Sequence, residues 1–491
     1  MNVVDYLFLE SESLDKDFVI GPNETIAYKQ IYKESMLFAN YLKNLIGEKQ
    51  GVLLASENSV LFIVTYLAII KSGNICIPID PTIEQDNFEY IVKTSKSKCI
   101  VFSDRFTKII SKSVDYKIDK NRFDEIIKNS DLKTAKFSDE FDSNRIAEIL
   151  YTSGSTGIPK GVMISHKNII ANTNSIISYL KLKTDDIMGV VLPFYYCYGL
   201  SLLHTHLKVG ASLVLINNFI FLPTVINNIK GYNCTGFAGV PSHFQILLKK
   251  SESFKNTNFP NLRYVTQAGG KLHNSFIEEF IEIFSNIEFF VMYGQTEATA
   301  RLSYLPPEKL KEKIGSIGKS IPDVILKVLN ENGEVAETGE LGEIVAKGDN
   351  IMRGYFKDKE GTKDVLKNGW LYTGDIGSMD EDGFIYLQSR KKEIIKVGGK
   401  RVSPKEIEEV IVSINEVVDC TVIAVRDDLL GEAIKAIVVL KNDCDEKQIK
   451  KQILKKCHQK LQIHKVPQLI CFEEAMQVSS SGKKIRSHSI I

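Results

Sequence analysis

A loop rich in glycine and hydroxyl residues lies at positions 151–162 and reads YTSGSTGIPKGV. It directly follows the apolar run IAEILY, which is typical of a strand. Glycines let successive backbone N–H groups converge on an anion, the hydroxyls add donors, and Lys160 adds a positive charge. The segment therefore predicts a site for a phosphate-bearing ligand.

The Walker motif of nucleotide triphosphatases does not account for this loop. That motif requires G-x-x-x-x-G-K-[ST]. Counted from Gly154, its second glycine falls on Pro159 and its Ser/Thr position falls on Gly161. Segments rich in Ser, Gly and Thr are also common as flexible linkers, so the loop by itself leaves that alternative open.

Other residues suited to chemistry lie at the ends of strand-like runs. LRYVTQAGG ends at residues 268–270, and IEFFVMYG leads into YGQTEA, where Thr296 and Glu297 are adjacent. Because ligands gather at the carboxyl ends of parallel strands, we expect these ends and the glycine-rich loop to share one crevice. Further along, YTGD places Asp375 on a turn, and Arg390 and Lys483 supply cations.

The composition is that of a globular protein without an electrostatic bias. The chain has 491 residues, enough for two or more domains, and its 62 basic residues nearly cancel its 61 acidic ones. No nucleic-acid partner is expected, because the lysine-rich patches alternate with acids or follow helical spacing. The acidic N-terminus does not resemble a signal peptide, so a cytoplasmic location is expected.

The patterns of cysteine, histidine and apolar residues argue against a disulfide-rich protein, a metal site and a membrane-spanning helix. The cysteines are scattered without a C-x-x-C pair, which favours reduced thiols over a disulfide framework or a zinc site. His204 and His206 have no acid or cysteine nearby in sequence, so we expect them to be ordinary helix or loop residues. The longest apolar stretch, residues 60–70, is too short to span a membrane and predicts a buried helix.

Alternating strand-like and amphipathic runs predict an α/β architecture with largely parallel sheets. The strand-like runs include GVLLAS, CIVFSD, IMGVVLPF, ASLVLI and GFAGVP. After about residue 315, Asn-Gly and Asp-Gly turns between short runs predict a small β subdomain. A compact α+β unit follows, with a helix capped by Ser403, begun by Pro404 and carrying Glu406, then two strands and a basic helix near residues 446–460.

Taken in order, these motifs resemble those of the adenylate-forming superfamily, which includes acyl-CoA synthetases, peptide-synthetase adenylation domains and luciferases. The similarity runs from YLAIIKSGNICIPIDP, beginning at Tyr66, to SGKKIR near the C-terminus. It implies a large N-terminal domain at residues 1–389, which binds ATP and an acid. A small mobile C-terminal domain at residues 393–491 would swing about Lys392.

The resemblance also implies a role for individual residues. Thr296 would contact the α-phosphate, Glu297 would ligate Mg²⁺, and Lys483 would reach the reacting carboxylate. Gly399 would line a pantetheine tunnel. The residues expected to bind ATP are Thr152, Ser153, Gly154, Ser155, Thr156, Gly157, Lys160, Ala268, Gly269, Gly270, Tyr293, Gly294, Asp375 and Arg390. The pocket for the acid would include Tyr196, Gly239 and Val240.

Two positions depart from the family pattern. Tyr196 stands where many acyl-CoA synthetases have histidine and amino-acid-activating relatives have aspartate. A substrate ammonium would lack its counter-charge in such a pocket, which disfavours an α-amino acid as substrate. Lys484 follows Lys483 where an apolar residue is common, so the identity of the catalytic lysine depends on the register of this segment.

The expected activity is that of an AMP-forming ligase which joins a carboxylic acid to coenzyme A, with ATP and Mg²⁺ as cofactors. One alternative within the class loads the acyl group onto the phosphopantetheine of an acyl carrier protein. An alternative of another class is a module that binds adenylates without turnover. The presence of Thr296, Glu297, Asp375, Arg390 and Lys483 argues against that module.

Overall fold

The computed structural model describes residues 1–22, 24–130, 141–152, 159–391, 393–398, 400–427, 431–441 and 444–476. Strands and helices are numbered along the chain. The strands of these residues belong to four sheets, which we call sheets A to D. Sheets A and B are mainly parallel, and sheets C and D are mainly antiparallel. The predicted α/β class is thus confirmed.

Sheet A forms the centre of the N-terminal part. Its strands pair in the order β15-β14-β13-β12-β11-β9-β10-β1-β2. They are β1 (Asp17–Val19), β2 (Ile26–Ala27), β9 (Ile187–Val190), β10 (Ser212–Leu215), β11 (Gly236–Gly239), β12 (Tyr264–Gln267), β13 (Glu288–Tyr293), β14 (Ser303–Leu305) and β15 (Lys319–Ser320). The strands from β13 to β1 are parallel, so the ends of β11, β12 and β13 lie side by side.

Sheet B carries the glycine-rich loop. Its strands pair in the order β6-β5-β3-β4-β7-β8. They are β3 (Gly51–Ala55), β4 (Ile75–Ile79), β5 (Cys99–Phe102), β6 (Tyr116–Ile118), β7 (Ile146–Thr152) and β8 (Lys160–Ser165). The pairing is parallel except for β7 and β8, which form a hairpin with Thr152 opposite Lys160. Ser153, Gly154, Ser155, Thr156 and Gly157 lie outside the described residues.

The helices confirm the expectation for the apolar run at residues 60–70, which forms a buried helix, α3, capped by Ser59. The described helices are α1 (Val3–Phe8), α2 (Tyr28–Ile46), α3 (Val60–Lys71), α4 (Gln85–Ser95), α5 (Lys120–Asn129), α6 (His166–Leu180), α7 (Cys197–Val209), α8 (Leu222–Gly231), α9 (Pro241–Lys250), α10 (Glu252–Lys255), α11 (Asn274–Ile283), α12 (Lys359–Val365), α13 (Pro404–Val412) and α14 (Glu446–Lys460). Among them, none combines the length and apolar character needed to cross a membrane.

Sheet C is the predicted β subdomain. It contains β16 (Val324–Leu329), β17 (Gly342–Gly348), β18 (Leu366–Lys367), β19 (Trp370–Met379) and β20 (Ile385–Arg390). Asn368 and Gly369 both have positive φ, 51° and 78°, and join β18 to β19 as an Asn-Gly hairpin turn does. The expectation that Asp375 lies on a turn was wrong, because this residue lies within β19 and pairs with Arg390 of β20.

Sheet D belongs to the C-terminal part, together with α13 and α14. Its strands are β21 (Ile395–Val397), β22 (Lys400–Val402), β23 (Val417–Asp427), β24 (Gly431–Leu440) and β25 (Leu469–Phe472). Ser403 is the N-cap residue of α13 and Pro404 begins the helix, as predicted, but the Ser403 side chain makes no capping hydrogen bond. The Ser403 hydroxyl instead donates to the carbonyl of Gln388, 2.8 Å away, and Glu406 pairs with Lys465.

The N-terminal and C-terminal parts are in contact. Besides the bond from Ser403 to Gln388, Lys271 Nζ lies 2.7 Å from Glu409 Oε1 on α13. Lys271 directly follows the glycines at the end of β12. Lys392 lies outside the described residues, so the domain boundaries and the hinge at this residue stay predictions.

The turn after β13 requires a glycine at position 294. A Cβ atom there would lie 2.0 Å from the carbonyl oxygen of Ala300, a backbone atom. We expect Gly294→Ala to destabilise the fold by about 1–3 kcal/mol, as overpacking does, and to lower the midpoint of thermal denaturation. Gly231→Ala is the control, because its Cβ would meet nothing within 4 Å. Equal midpoints for the two variants would contradict the prediction.

Candidate active site

The hairpin of β7 and β8 presents Lys160 at the end of the glycine-rich loop. The Thr152 hydroxyl donates to the carbonyl of Lys160 at 3.4 Å, which holds the two ends of the loop together. The Lys160 ammonium lies 3.1 Å from Asp358 Oδ2 and 4.8 Å from the centre of the Tyr355 ring. Both partners of this ion pair are over a third exposed, at 38% and 37% of the side chain. The lysine is therefore accessible to a ligand.

A backbone ladder joins this hairpin to the turn after β13. Phe356 donates its N–H to Gly161, Arg353 donates to Met163, and Met163 donates to Gly354. On its other side, the same segment donates the N–H of Met352 to the carbonyl of Glu297 at 2.9 Å. Residues 352–356, which we call the bridging segment, therefore connect sheet B to the Thr296–Ala298 turn of sheet A.

The Thr296–Ala298 turn is a short 3₁₀ segment. Glu297 Oε1 accepts a hydrogen bond from the Tyr355 hydroxyl at 2.8 Å, and Thr296 Oγ1 donates to Cys197 Sγ at 3.5 Å. Thr299 follows with φ of 64°, which is a strained conformation for a β-branched residue, and its hydroxyl donates to the carbonyl of Asn350. Such strain is common at functional sites.

A second cluster is formed by Tyr293, Asp375 and Arg390. The Tyr293 hydroxyl donates to Asp375 Oδ2 at 2.7 Å, and Arg390 Nε donates to Asp375 Oδ1 at 3.2 Å. Burial and the adjacent Asp375 raise the pKa of Tyr293 well above its usual value, so the tyrosine stays a donor. The carboxylate is buried, whereas about half of the Arg390 side chain is exposed.

Electrostatics connect this cluster to the Thr296–Ala298 turn. The pKa of Arg390 is raised, most strongly by Asp375, and Glu297 contributes to the same shift. Burial raises the pKa of Tyr355, with Glu297 as the next cause, while Arg390 acts in the opposite direction. The carboxylate of Glu297 and the guanidinium of Arg390 therefore act on each other within one site.

The ends of β11 and β12 form the expected wall beside the turn. The N–H of Ala268 donates to the carbonyl of Gly239 at 3.3 Å, and Gly269 has φ of 86°, which favours glycine. A Cβ on Gly270 would lie 3.3 Å from Pro241, so the two strand ends approach closely. The neighbouring Val240 is 3% exposed and directly precedes α9 as its N-cap residue.

Tyr196 lies directly before α7, and its ring is 4.9 Å from that of Tyr195. The next residue is Cys197, which accepts the hydrogen bond from Thr296. The aromatic residue that departs from the family pattern therefore adjoins the turn that carries Thr296 and Glu297. His204 and His206 are buried in the same helix, and no metal-binding group of His, Cys, Asp or Glu occurs in the described ranges.

The structure thus brings together the described members of the predicted site. Lys160 and Glu297 meet at Tyr355, Tyr293 and Arg390 meet at Asp375, and Thr296 lies beside α7. Lys392, Gly399 and Lys483 lie outside the described residues, so their predicted roles are untested.

Sequence reasoning missed Tyr355 and Asp358. The pKa of Asp358 lies below its usual value, mainly because the backbone N–H of Gly361 donates a hydrogen bond to the carboxylate and also because Lys160 does so. A Cβ on Gly361 would lie 2.2 Å from Asp358 Oδ2, so this glycine is part of the same arrangement. The available signal was the segment MRGYFKDKEGTK, in which an aromatic pair and an acid follow Gly354.

Glu297 suits a magnesium site of one particular kind. Mg²⁺ is usually held by one or two carboxylates together with substrate phosphates and water, rather than by a cage of protein ligands. A single carboxylate oriented by the Tyr355 hydroxyl fits this mode.

The chain is similar to known proteins over nearly its whole length. A long-chain-fatty-acid–CoA ligase of Yersinia pestis is 27% identical over 515 residues, which cover 96% of this chain and 91% of the relative. A solved anthranilate CoA ligase in complex with anthranoyl-AMP has a TM-score of 0.91 at 22% identity, covering 99% of this chain and 95% of the other. The o-succinylbenzoate coenzyme A synthetase of Bacillus subtilis, solved with ATP and magnesium, has a TM-score of 0.85 at 24% identity and covers 99% and 98%.

Family models match both parts of the chain. The model described as "AMP-binding enzyme C-terminal domain" matches residues 406–483. The model described as "AMP-binding enzyme" matches residues 10–356, which include the hairpin, the strand ends and the Thr296–Ala298 turn. The chain therefore belongs to the family of AMP-binding enzymes.

Proposed function

We propose that this protein is an AMP-forming ligase that joins a carboxylic acid to coenzyme A through an acyl-adenylate. The observation that carries the proposal is that the bridging segment joins the β7–β8 hairpin to the Thr296–Ala298 turn, while Arg390 of the Asp375 cluster acts electrostatically on Tyr355 and Glu297. These elements supply a phosphate-binding lysine, a carboxylate suited to magnesium and a fixed carboxylate for a sugar. ATP requires all three kinds of group.

Asp375 is suited to the ribose hydroxyls. A carboxylate can accept about four hydrogen bonds. The bonds from Tyr293 and Arg390 take one position on each oxygen, so further positions stay open to a diol. The two protein donors also fix the orientation of the carboxylate, because Tyr293 is held in its protonated form by burial.

The phosphates of ATP are proposed to bind at the glycine-rich loop, through Thr152, Ser153, Gly154, Ser155, Thr156, Gly157 and Lys160. Asp358 neutralises the lysine in the structure, and a phosphate oxygen would take the place of this carboxylate. Glu297 would hold magnesium, which when bound offsets phosphate charge. Ala268, Gly269, Gly270 and Gly294 would flank the adenine and the carboxylate of the acid.

The proposed reaction has two steps. An oxygen of the substrate carboxylate attacks the α-phosphorus of ATP and displaces pyrophosphate, which leaves an acyl-AMP mixed anhydride. The sulfur of coenzyme A then attacks the acyl carbon, AMP departs with the electron pair, and the thiol proton is released. Thr296 would contact the α-phosphate, and Lys483 would stabilise the charge that develops in the first step.

The C-terminal part is proposed to change position between the two steps. Lys392 is the proposed hinge, and Gly399 is proposed to line the tunnel for the pantetheine arm of coenzyme A. An acyl carrier protein presents the same phosphopantetheine thiol and is the alternative acceptor. Coenzyme A is preferred, because the similar proteins named above are described as coenzyme A ligases or synthetases.

Tyr196, Gly239 and Val240 are proposed to form part of the pocket for the acid. Position 196 is a tyrosine, so a substrate ammonium group would have no aspartate there to neutralise it. Burial of an unpaired charge is unfavourable. We therefore propose a carboxylic acid without an α-amino group. Acids as different as a long-chain fatty acid and anthranilate are named for the similar proteins.

The reaction products test the function directly. With ATP, Mg²⁺ and an accepted acid, we expect AMP and pyrophosphate, because Thr296 and the hairpin are proposed to present the α-phosphate for attack. The measurement is product analysis with ATP labelled at the α- and γ-phosphates, over a panel of acids. ADP and inorganic phosphate as the main products would contradict the proposal, as would nucleotide binding without turnover of any acid.

The hydroxyl of Tyr355 tests the proposed role of Glu297. Tyr355→Phe keeps the ring beside Lys160 but removes the donor to Glu297 Oε1. We expect the Mg²⁺ concentration for half-maximal pyrophosphate exchange to rise about tenfold or more, since loss of a group that orients a metal ligand weakens metal binding.

Tyr372→Phe is the matched control for this experiment. Its ring lies 4.7 Å from Lys367 Nζ, so the variant also removes a hydroxyl from a tyrosine beside a lysine. The Mg²⁺ requirement of this variant should equal that of the unaltered protein. An equal requirement in Tyr355→Phe would contradict the proposed metal role of Glu297.

Lys483 separates the two half-reactions. We expect Lys483→Ala to slow acyl-adenylate formation by ~10²- to 10³-fold, as loss of a group that stabilises developing charge does. Conversion of supplied acyl-AMP and coenzyme A should stay near normal. Lys484→Ala is the control and should be mild in both assays. A severe adenylation defect in Lys484→Ala with a mild one in Lys483→Ala would move the catalytic role to Lys484.

A further inference from the structure

A buried carboxyl group lies behind the proposed nucleotide site, at Glu148 on β7. Its side chain is 1% exposed. Its Oε2 accepts a hydrogen bond from the Tyr66 hydroxyl at 2.8 Å, and the same hydroxyl lies 2.8 Å from His204 Nε2. Tyr66 on α3 and His204 on α7 are buried as well. The three side chains form a continuous chain of hydrogen bonds, which we call the buried triad.

A small cavity lies between the buried triad and Thr299, the residue that directly follows the Thr296–Ala298 turn. It is 10 Å³ in volume, enough for about one water molecule. Its lining includes Glu148 and His204 of the triad together with Cys197 and Thr299. Cys197 accepts the hydrogen bond from Thr296, the residue proposed to contact the α-phosphate. Glu148 also precedes Thr152 on the same strand by four residues, or about 13 Å.

The groups that face Glu148 carry no positive charge. Besides Tyr66 and His204, they include Cys76 on β4, which pairs with Glu148 in the sheet, and the cavity side contributes the thiol of Cys197. α6 contributes Asn172 and Thr173, which do not titrate. In the described part of the chain, Glu148 has no ion-pair partner, and burial raises its pKa to about 7. Burial also lowers the pKa of His204 to about 3, so this histidine is neutral.

The single proton of the Tyr66 hydroxyl allows two arrangements of the buried triad. When Glu148 is ionised, Tyr66 donates to the carboxylate, and His204 Nε2–H donates to the Tyr66 oxygen. When Glu148 is protonated, its O–H donates to Tyr66, Tyr66 donates to His204 Nε2, and the histidine carries its proton on Nδ1. Uptake of one proton by Glu148 therefore reverses both hydrogen bonds and changes the tautomer of a residue on α7.

We propose that Glu148 is a proton-linked positioning residue, whose protonated form is favoured when a nucleotide polyphosphate binds at the neighbouring hairpin and Thr296–Ala298 turn. This inference rests on the proposed function. Bound phosphates bring negative charge to a distance on the order of 10 Å from the buried carboxyl group. A like charge disfavours ionisation of Glu148 in an interior of low dielectric. Binding and protonation must then favour each other by the same factor.

The sign of the pH dependence follows from this linkage. Below the pKa of Glu148 in the free protein, the carboxyl is already neutral and nucleotide affinity is highest. As pH rises through neutrality, binding requires uptake of a proton from solvent, so affinity falls. At an effective dielectric constant of about 20, one charge at this separation corresponds to a change of about tenfold in affinity.

Calorimetry of nucleotide binding between pH 6 and pH 8.5 tests the inference. The probe is α,β-methylene-ATP with Mg²⁺, titrated in buffers of different ionisation enthalpy so that protons taken up can be counted. Glu148→Gln replaces the carboxyl with a permanently neutral amide. We expect the unaltered protein to take up more protons than this variant near pH 7.5, and to lose about tenfold more affinity as pH rises. Protonation of the probe itself cancels in the difference.

Two further variants separate this role from a purely structural one. Glu408→Gln neutralises another buried carboxyl, on α13, and should bind like the unaltered protein. Tyr66→Phe removes the hydrogen bond that favours ionised Glu148, so the loss of affinity should move to higher pH. Equal proton uptake in the unaltered protein and in Glu148→Gln would overturn the inference alone. Absence of probe binding by every protein would overturn the proposed function and the inference with it.

Discussion

The backbone ladder of the bridging segment is the constraint on which the candidate site depends. Residues 352–356 bond to β8 on one side and to Glu297 on the other. Sheet B, with the glycine-rich hairpin, and sheet A, with the Thr296–Ala298 turn, are otherwise separate sheets. Backbone bonds fix the separation of two elements more firmly than flexible side chains do, and Tyr355 extends from this ladder to Glu297. The distance between the lysine and carboxylate sides of the site is thereby set.

The regular elements of the fold could be predicted because their signals are local. The runs at β3, β5 and β9–β13 are short and mainly apolar, and several of them are followed by a small residue. Helix α14 matches its predicted range of residues 446–460. Asn368 and Gly369 predict their hairpin turn because few other residues tolerate the positive φ that the turn requires. The local rule failed at Ser403 and at Asp375. Tertiary partners, the Gln388 carbonyl and the Tyr293–Arg390 pair, decide the geometry there.

The candidate site could be predicted where the glycine-rich loop, the strand ends or a family pattern mark its residues. Tyr355 and Asp358 lie almost two hundred positions after Lys160, and no spacing relates them to it. Glu148 is harder still, since an acid within the strand pattern IAEILY suggests an exposed side chain. The structure shows it buried, because Tyr66 of α3 and His204 of α7 pack on that face of β7, while β4 pairs beside β7 in the sheet. Long-range contacts of this kind depend on topology, which a single sequence specifies only indirectly.

The ion pairs of the site fall into two kinds that suit different tasks. Lys160 and Asp358 are both partly exposed, and such pairs contribute about 0–1 kcal/mol, so phosphate can replace the carboxylate at little cost. Asp375 is buried and held by two donors, and removal of a partner from such a carboxylate is strongly unfavourable. The group proposed to exchange partners during binding is therefore weakly paired, whereas the group proposed to orient the ribose is fixed before the nucleotide arrives.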